Sequence, residues 1–216
     1  MRLHSTITSP YARKAWVVAH EKGLSQRIER IATNPHVDEY LRADNPLCRV
    51  PTLLLDDGSA LFDSPVICDY LDQLGGPPYL CPVSGPARWS ALRFQAVADG
   101  LLDANLARRM EVIRPVSEQS QTWIDRQIRG VEAACSWLEA RVEDLGGDLT
   151  IGQIAVGCAL GYFDVRFPDD GWRARFPDLA AWHAAFDARP SMQATRHDVL
   201  RTTLPPDLVK EGPSRH

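Results

Sequence analysis

The chain has five cysteines, at positions 48, 68, 81, 135 and 158, and no Cys-x-x-Cys pair. An odd number without paired spacing argues against a disulfide framework and against a structural zinc site. The six histidines are scattered, so no spacing gathers three ligands for a metal, and none is expected. No apolar run approaches the length of a membrane span. The N-terminus lacks the basic, apolar and small-residue regions of a secretion signal, which makes a cytoplasmic location the expectation. Charge of one sign is not in excess: residues 1–80 carry 8 basic and 10 acidic side chains, residues 81–200 carry 13 and 16. Neither part has the basic surplus of a nucleic-acid binder. No internal repeat or low-complexity tract occurs. What is left is an ordinary soluble composition, 44% hydrophobic and 24% charged over 216 residues, enough for one large or two small domains.

Strand signals are confined to the first 62 residues. Leu3–Ile7, Ile28–Ile31, Thr52–Leu55 and Ala60–Phe62 read as strands, the last two joined by the turn Asp56-Asp57-Gly58-Ser59. Helices fall between and after them, at Pro10–Lys22, weakly near Val37–Ala43, and at Ser64–Leu74. The order β-α-β-α-β-β-α predicts a small mixed sheet with a parallel pair and a hairpin, covered by helices. Residues 77–86 are rich in Gly and Pro and read as a linker. Everything beyond is helical: a long segment over about 87–113, then an apolar stripe from Ile124 to Val142 closed by Gly146-Gly147. Thr150 and Gln153 form a capping box for Ile151–Val165, whose apolar residues run nearly all round and place it at the centre of a bundle. Shorter helices follow at Leu179–Arg189 and Met192–Val199, and 201–216 reads as a frayed tail. Cys68, Cys135 and Cys158 fall on apolar helix faces as small core residues, and Trp182 reads as core. Arg13 and Lys14 read as solvated.

Three segments carry chemistry. In the first, Ser9-Pro10-Tyr11 joins a strand to a helix. The unpaired N–H groups and the dipole of a helix start suit a thiolate, carboxylate or phosphate, although Ser-Pro also serves simply to begin a helix. In the second, Asn45 to Leu53, Val50-Pro51 precedes a strand, where a cis bond would turn the Val50 N–H and C=O toward an extended peptide. In the third, Ser64 reads as an N-cap with Pro65 at N1, and Asp63 lies just outside. Gathered at one end of the sheet, these groups suit a short peptide bearing an ammonium and carboxylates. Asp63 can take the ammonium, Ser64 one carboxylate, Arg49 a second, and Val50 the peptide backbone. A thiol in the middle of that peptide would lie against Ser9.

At these residues the chain resembles the glutathione transferase superfamily, in particular a bacterial branch with a serine at the active site. The resemblance covers residues 1 to about 200. It rests on Ser9-Pro10-Tyr11, Asn45-Pro46, Val50-Pro51-Thr52-Leu53, Asp63-Ser64, Ala98 to Ala104, Thr150 to Gln153, Phe176 to Trp182 and Arg189-Pro190-Ser191. It implies a thioredoxin-like α/β domain (1–76), the linker (77–86), an all-α helical-bundle domain (87–200) that meets the acceptor, and the tail (201–216). It implies glutathione as co-substrate, a small electrophile as second substrate, a homodimer, and neither membrane nor nucleic-acid partners. Ser9 is the implied catalytic residue, donating a hydrogen bond to the glutathione sulfur; Tyr11, Arg49, Val50, Asp63 and Ser64 are the implied glutathione-binding residues. Arg108 and Arg109 are candidates for the acceptor pocket, and Asp99 for a two-fold axis. Some relatives act instead in transcription or translation complexes, so a non-catalytic binding module is the alternative.

The departures are informative. Ile7 and Thr8 stand where a tyrosine-type site needs its tyrosine. Ser9-Pro10-Tyr11-Ala12 lacks both sulfurs of a Cys-Pro-Tyr-Cys motif, which excludes dithiol redox chemistry there. Cys48 stands where relatives usually have glycine and reads as a tolerated loop residue, with a reactive thiol as the other reading.

Overall fold

A computed structural model describes residues 1–210. These residues form two compact units, 1–83 together with 189–210, and 84–188.

The first unit is built on a four-stranded sheet of order β2-β1-β3-β4, with β1 at Arg2–Ser5, β2 at Glu29–Ala32, β3 at Thr52–Leu54 and β4 at Ala60–Leu61. β1 pairs parallel to β2 and antiparallel to β3, and β3 pairs antiparallel to β4. This is the expected parallel pair plus hairpin; each strand differs from its expected span by a few residues at most. Buried strand positions are mostly apolar, with Leu3 and Leu53 fully enclosed. Three buried strand positions are polar, His4, Ser5 and Thr52; His4 has its Nδ1 2.8 Å from Thr33 Oγ1.

Helix α1 (Pro10–Glu21) buries Ala12, Ala15, Trp16, Val17, Val18 and Ala19. It starts at the Ser9 N-cap and stops at Lys22 and Gly23, the latter at a φ of 66° that only glycine adopts without strain. Lys14 is fully buried and Arg13 is tied to the returning chain, its guanidinium donating to Met192 O at 3.1 Å. The expected solvated pair is therefore corrected: Lys14 is enclosed by the fold, and Arg13 is held by polar contacts to the returning chain. Helix α2 (Ser64–Gly75) buries Ile67, Cys68 and Leu71.

Beyond α2 the chain is fastened rather than loose. The Asp72 carboxylate accepts from the N–H groups of Leu80 (2.9 Å) and Cys81 (2.8 Å). Lys22 Nζ lies 3.0 Å from Asp72 Oδ1 and donates to the carbonyls of Gly76 (2.5 Å) and Pro78 (2.7 Å). The Gly- and Pro-rich stretch has no ladder partners, so side chains take over its backbone groups. Its final residues, Gly85 and Pro86, already belong to the next helix.

The second unit is helical: α3 (Gly85–Val112), α4 (Gln121–Glu139), α5 (Ile151–Arg166), α6 (Trp172–Arg175) and α7 (Pro177–Asp187). α5 buries 12 of its 16 residues, as its unbroken apolar character predicts. It meets α3 so closely at Gly152 that a Cβ there would lie 2.8 Å from Ala91 O and from Phe94 Cβ. The Thr150–Gln153 capping box is present, and the Gln153 amide also donates to Leu145 O at 3.0 Å. Cys135 is buried, and desolvation pushes its thiol up to about 12, consistent with an inert core residue. α4 ends at Glu139, earlier than the Gly146-Gly147 signal suggests, and a separate 3₁₀ turn spans Val142–Leu145. The Glu139 carboxylate accepts from the N–H groups of Asp178 (3.1 Å) and Leu179 (2.7 Å) and so caps α7. Trp182 is half-buried rather than core, and its indole N–H reaches Leu145 O at 3.2 Å.

After α7 the chain returns to the first unit through α8 (Pro190–Ala194) and α9 (His197–Thr203). Arg189 Nε and Ser191 Oγ both donate to the Glu21 carboxylate, at 3.1 and 2.5 Å. Residues 201–210, read in the sequence as part of a frayed tail, are structured. Pro206–Leu208 is a 3₁₀ turn, and Lys210 O accepts from Ile7 N–H at 3.0 Å. Residues 211–216 lie outside the described residues.

Candidate functional site

Strand register decides which loops share an end of the sheet. His4 pairs with Thr52 across β1 and β3, and Leu53 pairs with Leu61 across β3 and β4. β1 therefore runs out toward Ser9 at the end where β3 begins, just after Val50-Pro51. β4 runs out at that same end into Phe62 and Asp63. The first strand leads to α1, the last to α2. Adjacent strands lie about 4.8 Å apart, so the outlets of β1 and β4, two strands apart, are separated by about 10 Å. An extended tripeptide reaches about 10 Å.

Ser9 is the N-cap of α1, with extended backbone dihedrals (φ −75°, ψ 118°). Its Oγ accepts from Ala12 N–H at 3.2 Å. Capping uses an oxygen lone pair and leaves the hydroxyl proton available; among the described residues that proton has no acceptor. The two readings of Ser9 thus do not compete: one hydroxyl can cap the helix and still donate outward. Tyr11, half-buried, follows in the first turn.

The Asn45–Thr52 loop is organised by Asn45, which is 1% exposed. Its Nδ2 donates to Arg49 O (3.1 Å) and Thr52 Oγ1 (3.0 Å), while its Oδ1 accepts from Leu47 N–H (3.0 Å). This bracing role of Asn45 goes beyond the motif it belongs to, and its signal in the sequence is an amide directly before Pro46 in a loop with no ladder of its own. Cys48 adopts a left-handed φ of 49°, which accounts for glycine being the usual choice there. Its Sγ is buried and lies 3.5 Å from Pro35 O, the arrangement of a packed loop residue. The Val50–Pro51 bond is cis, as the sequence suggested. Neither the N–H nor the C=O of Val50 is bonded to another described residue. Arg49 is exposed.

At α2 the structure corrects one detail. Asp63, not Ser64, is the N-cap: its carboxylate accepts from the Ser64 N–H, Ser64 is the first helical residue and Pro65 the second. A carboxylate is the stronger acceptor at a helix start and complements the dipole. Ser64 is fully buried, and its Oγ has no hydrogen-bond partner among the described residues. Buried hydroxyls ordinarily have one. The sheet end thus carries an undonated Ser9 proton, an unbonded Val50 backbone, an exposed Asp63 and an unpartnered Ser64.

Arg108, a candidate for the acceptor pocket, is held by its neighbours in the helical unit. Its guanidinium forms a bidentate pair with Asp170 and stacks 4.0 Å from the Phe167 ring centroid. No group of three or more His, Cys, Asp or Glu side chains fit to hold a metal occurs among the described residues. No helix among them is long and apolar enough to cross a membrane.

Comparison with known proteins agrees with this geometry. The model of the glutathione S-transferase N-terminal domain matches residues 8–74, and that of the C-terminal domain matches residues 121–185. Among curated proteins, the uncharacterized GST-like protein YibF of Escherichia coli K12 is 32% identical over 183 residues, 83% of this chain and 90% of that protein. A stringent starvation protein A homolog of Haemophilus ducreyi is 35% identical over 83 residues, 38% of this chain and 38% of that protein. Among solved structures, a glutathione transferase family member of Pseudomonas fluorescens Pf-5 with bound glutathione superposes with a TM-score of 0.87 at 42% identity, covering 90% of this chain and 98% of that one. The chain belongs to the glutathione S-transferase superfamily, with a thioredoxin-like N-terminal half and a helical C-terminal half.

Proposed function

We propose that this protein binds glutathione at the Ser9 end of the sheet and either adds it through its sulfur to a small electrophile, with the leaving group departing or the thiol proton passing to the product, or reduces the electrophile as glutathione is oxidised. The observation that carries the reading is the set of unused hydrogen-bonding groups at that end, with outlets about 10 Å apart, one extended tripeptide in length. Ser9 donates to the sulfur, Val50 pairs with the peptide backbone, Ser64 and Arg49 take carboxylates, Asp63 takes the ammonium, and Tyr11 lines the first turn of α1. Glutathione bound to the Pseudomonas fluorescens relative supports this choice of ligand. A homodimer in the cytoplasm is part of the same reading.

The chemistry follows from one equilibrium. A free thiol with a pKa of about 8.5 is only about 3% thiolate at pH 7. Lowering the pKa by about two units makes the thiolate the main form and requires about 2.7 kcal/mol of differential stabilisation. The α1 N-terminus contributes about 0.3–1 kcal/mol, or up to about 2 when partly buried. A hydrogen bond to the charged sulfur contributes about 1.5–3 kcal/mol. Together they suffice. Ser9 does not act as a base, since its hydroxyl is far too weak an acid to be ionised; it stabilises the anion that attacks.

Asp63→Ala removes a charge-assisted contact to the ammonium, so glutathione affinity should fall about 10- to 100-fold, corresponding to about 1.5–3 kcal/mol. Calorimetry returning the wild-type affinity would remove Asp63 from the site. A second reading is a binding module without turnover, since the chain is also partly similar to a stringent starvation protein A homolog, a name that states no transferase activity. Retention on immobilised glutathione with no turnover of a generic aryl halide would select it.

A further inference from the structure

Ile7 lies between the end of β1 and Ser9 and is 4% exposed. Its parallel neighbour has already left the sheet: after Thr33, whose N–H donates to Ser5 O at 3.1 Å, the chain folds into a closed loop. In that loop Asp38 Oδ2 accepts from Asn34 N–H at 2.7 Å, and Asp38 N–H donates back to Asn34 O at 2.8 Å. The Ile7 N–H is thus a buried donor without a ladder partner, which proteins rarely leave unmade. Lys210 meets both needs with one residue. Its carbonyl accepts from Ile7 N–H at 3.0 Å, and its ammonium lies 2.8 Å from Asp38 Oδ2. Burial works against the charged form of Asp38, yet the Lys210 ammonium and the Asn34 N–H hold its carboxyl below the usual carboxylate range. Leu208 and Val209, just before, are half-buried.

We propose that Lys210 is a positioning residue, through which residues 205–210 act as a strap that fixes the Thr6–Ser9 turn and so aims the Ser9 hydroxyl. The functional half of this inference rests on the glutathione reading above; the mechanical half does not. Within the turn Ser9 N–H reaches Thr6 O at 3.4 Å, and the strap adds the Lys210 carbonyl on Ile7 N–H at 3.0 Å. Hydroxyl position matters because displacement of a catalytic group by about 1 Å can cost about 10²-fold in rate.

The test uses the full chain with Lys210→Met, which abolishes the ion pair, Lys210→Arg as the conservative rescue, and Arg196→Ala as a control that breaks an exposed pair outside the strap, at the start of α9. A chain ending at Leu204 removes both contacts; if it fails to fold, the point variants decide alone. Two readouts are taken. Lys210→Met leaves the carbonyl that Ile7 N–H uses and removes only the half-exposed ion pair, so amide exchange at residues 6–9 should accelerate about two- to fivefold and recover in Lys210→Arg. The pKa of bound glutathione should rise and kcat/KM with an aryl halide fall about three- to tenfold, with glutathione affinity within about twofold of wild type. Arg196→Ala should change neither. Unchanged exchange at residues 6–9 overturns the strap whatever the activity. Faster exchange with unchanged thiol pKa and kcat/KM overturns its role in aiming Ser9. A wild-type protein that does not bind glutathione overturns the parent reading and leaves the exchange result to judge the strap.

Discussion

Replacing Asp72 by Asn should destabilise the first unit more than any surface change. Both members of the Lys22–Asp72 pair are enclosed, their side chains 5% and 2% exposed. The substitution keeps the shape but removes the carboxylate that pairs with Lys22. It also puts an amide NH₂ where one of two backbone N–H groups, those of Leu80 and Cys81, needs an acceptor. Breaking a buried pair from one side typically costs about 3–5 kcal/mol, because an uncompensated charge stays behind. For a chain of this size each kcal/mol lowers Tm by about 2–4 °C, giving a drop of about 6–20 °C. The partner carbonyls of Gly76 and Pro78 still solvate the ammonium, which favours the lower part of that range. Urea unfolding followed by circular dichroism gives ΔG directly. The double variant Lys22→Met with Asp72→Asn should recover part of the loss, since the stranded charge is gone. A single variant within about 1 kcal/mol of wild type, or a double variant that is simply the sum of the two singles, would refute the reasoning.

Gly152→Ala should cost about 1–3 kcal/mol or more by forcing α5 away from α3, because the new methyl would meet Ala91 O and Phe94 Cβ at 2.8 Å; chemical denaturation measures it, and an unchanged midpoint would mean that the helices separate freely. Stability should also fall as the pH drops below about 6.5. Burial lowers the pKa of His4, His20 and His183, so the unfolded chain takes up protons first and unfolding is favoured between the unfolded and folded pKa values. His183 is held neutral by geometry as well: Gly157 O can only accept from its Nε2–H at 3.1 Å, and the Arg173 guanidinium 2.9 Å from Nδ1 can only donate. Tm measured between pH 8 and pH 5 should therefore decrease, and a flat profile would contradict this.

Much of the fold was legible because its signals are local. Asp57-Gly58 announced the hairpin, the step of three and four residues from Ile124 to Leu138 announced α4, and Thr150 with Gln153 announced the start of α5. The segments of the candidate site were legible for a similar reason: Ser9-Pro10, Val50-Pro51 and Asp63-Ser64 are each constrained by proline next to a polar residue. What sequence could not show depends on partners far away in the chain. Lys14 reads as surface until the fold encloses it, Glu139 caps a helix that begins 38 residues later at Pro177, and Lys210 reads as a tail residue until Ile7 is placed beside it. The choice between Asp63 and Ser64 as N-cap turned on a single residue of helix phase, the level at which boundary signals fail.

In the proposed chemistry the Ser9 proton and the α1 N-terminus turn a bound thiol into an anion. Ultraviolet titration of glutathione bound to the wild type and to Ser9→Ala tests it most directly. The wild-type thiol should titrate well below about 8.5 and rise by about one to two units on losing the hydroxyl, the equivalent of about 1.5–3 kcal/mol. Tight binding with the same thiol pKa in both proteins would contradict it.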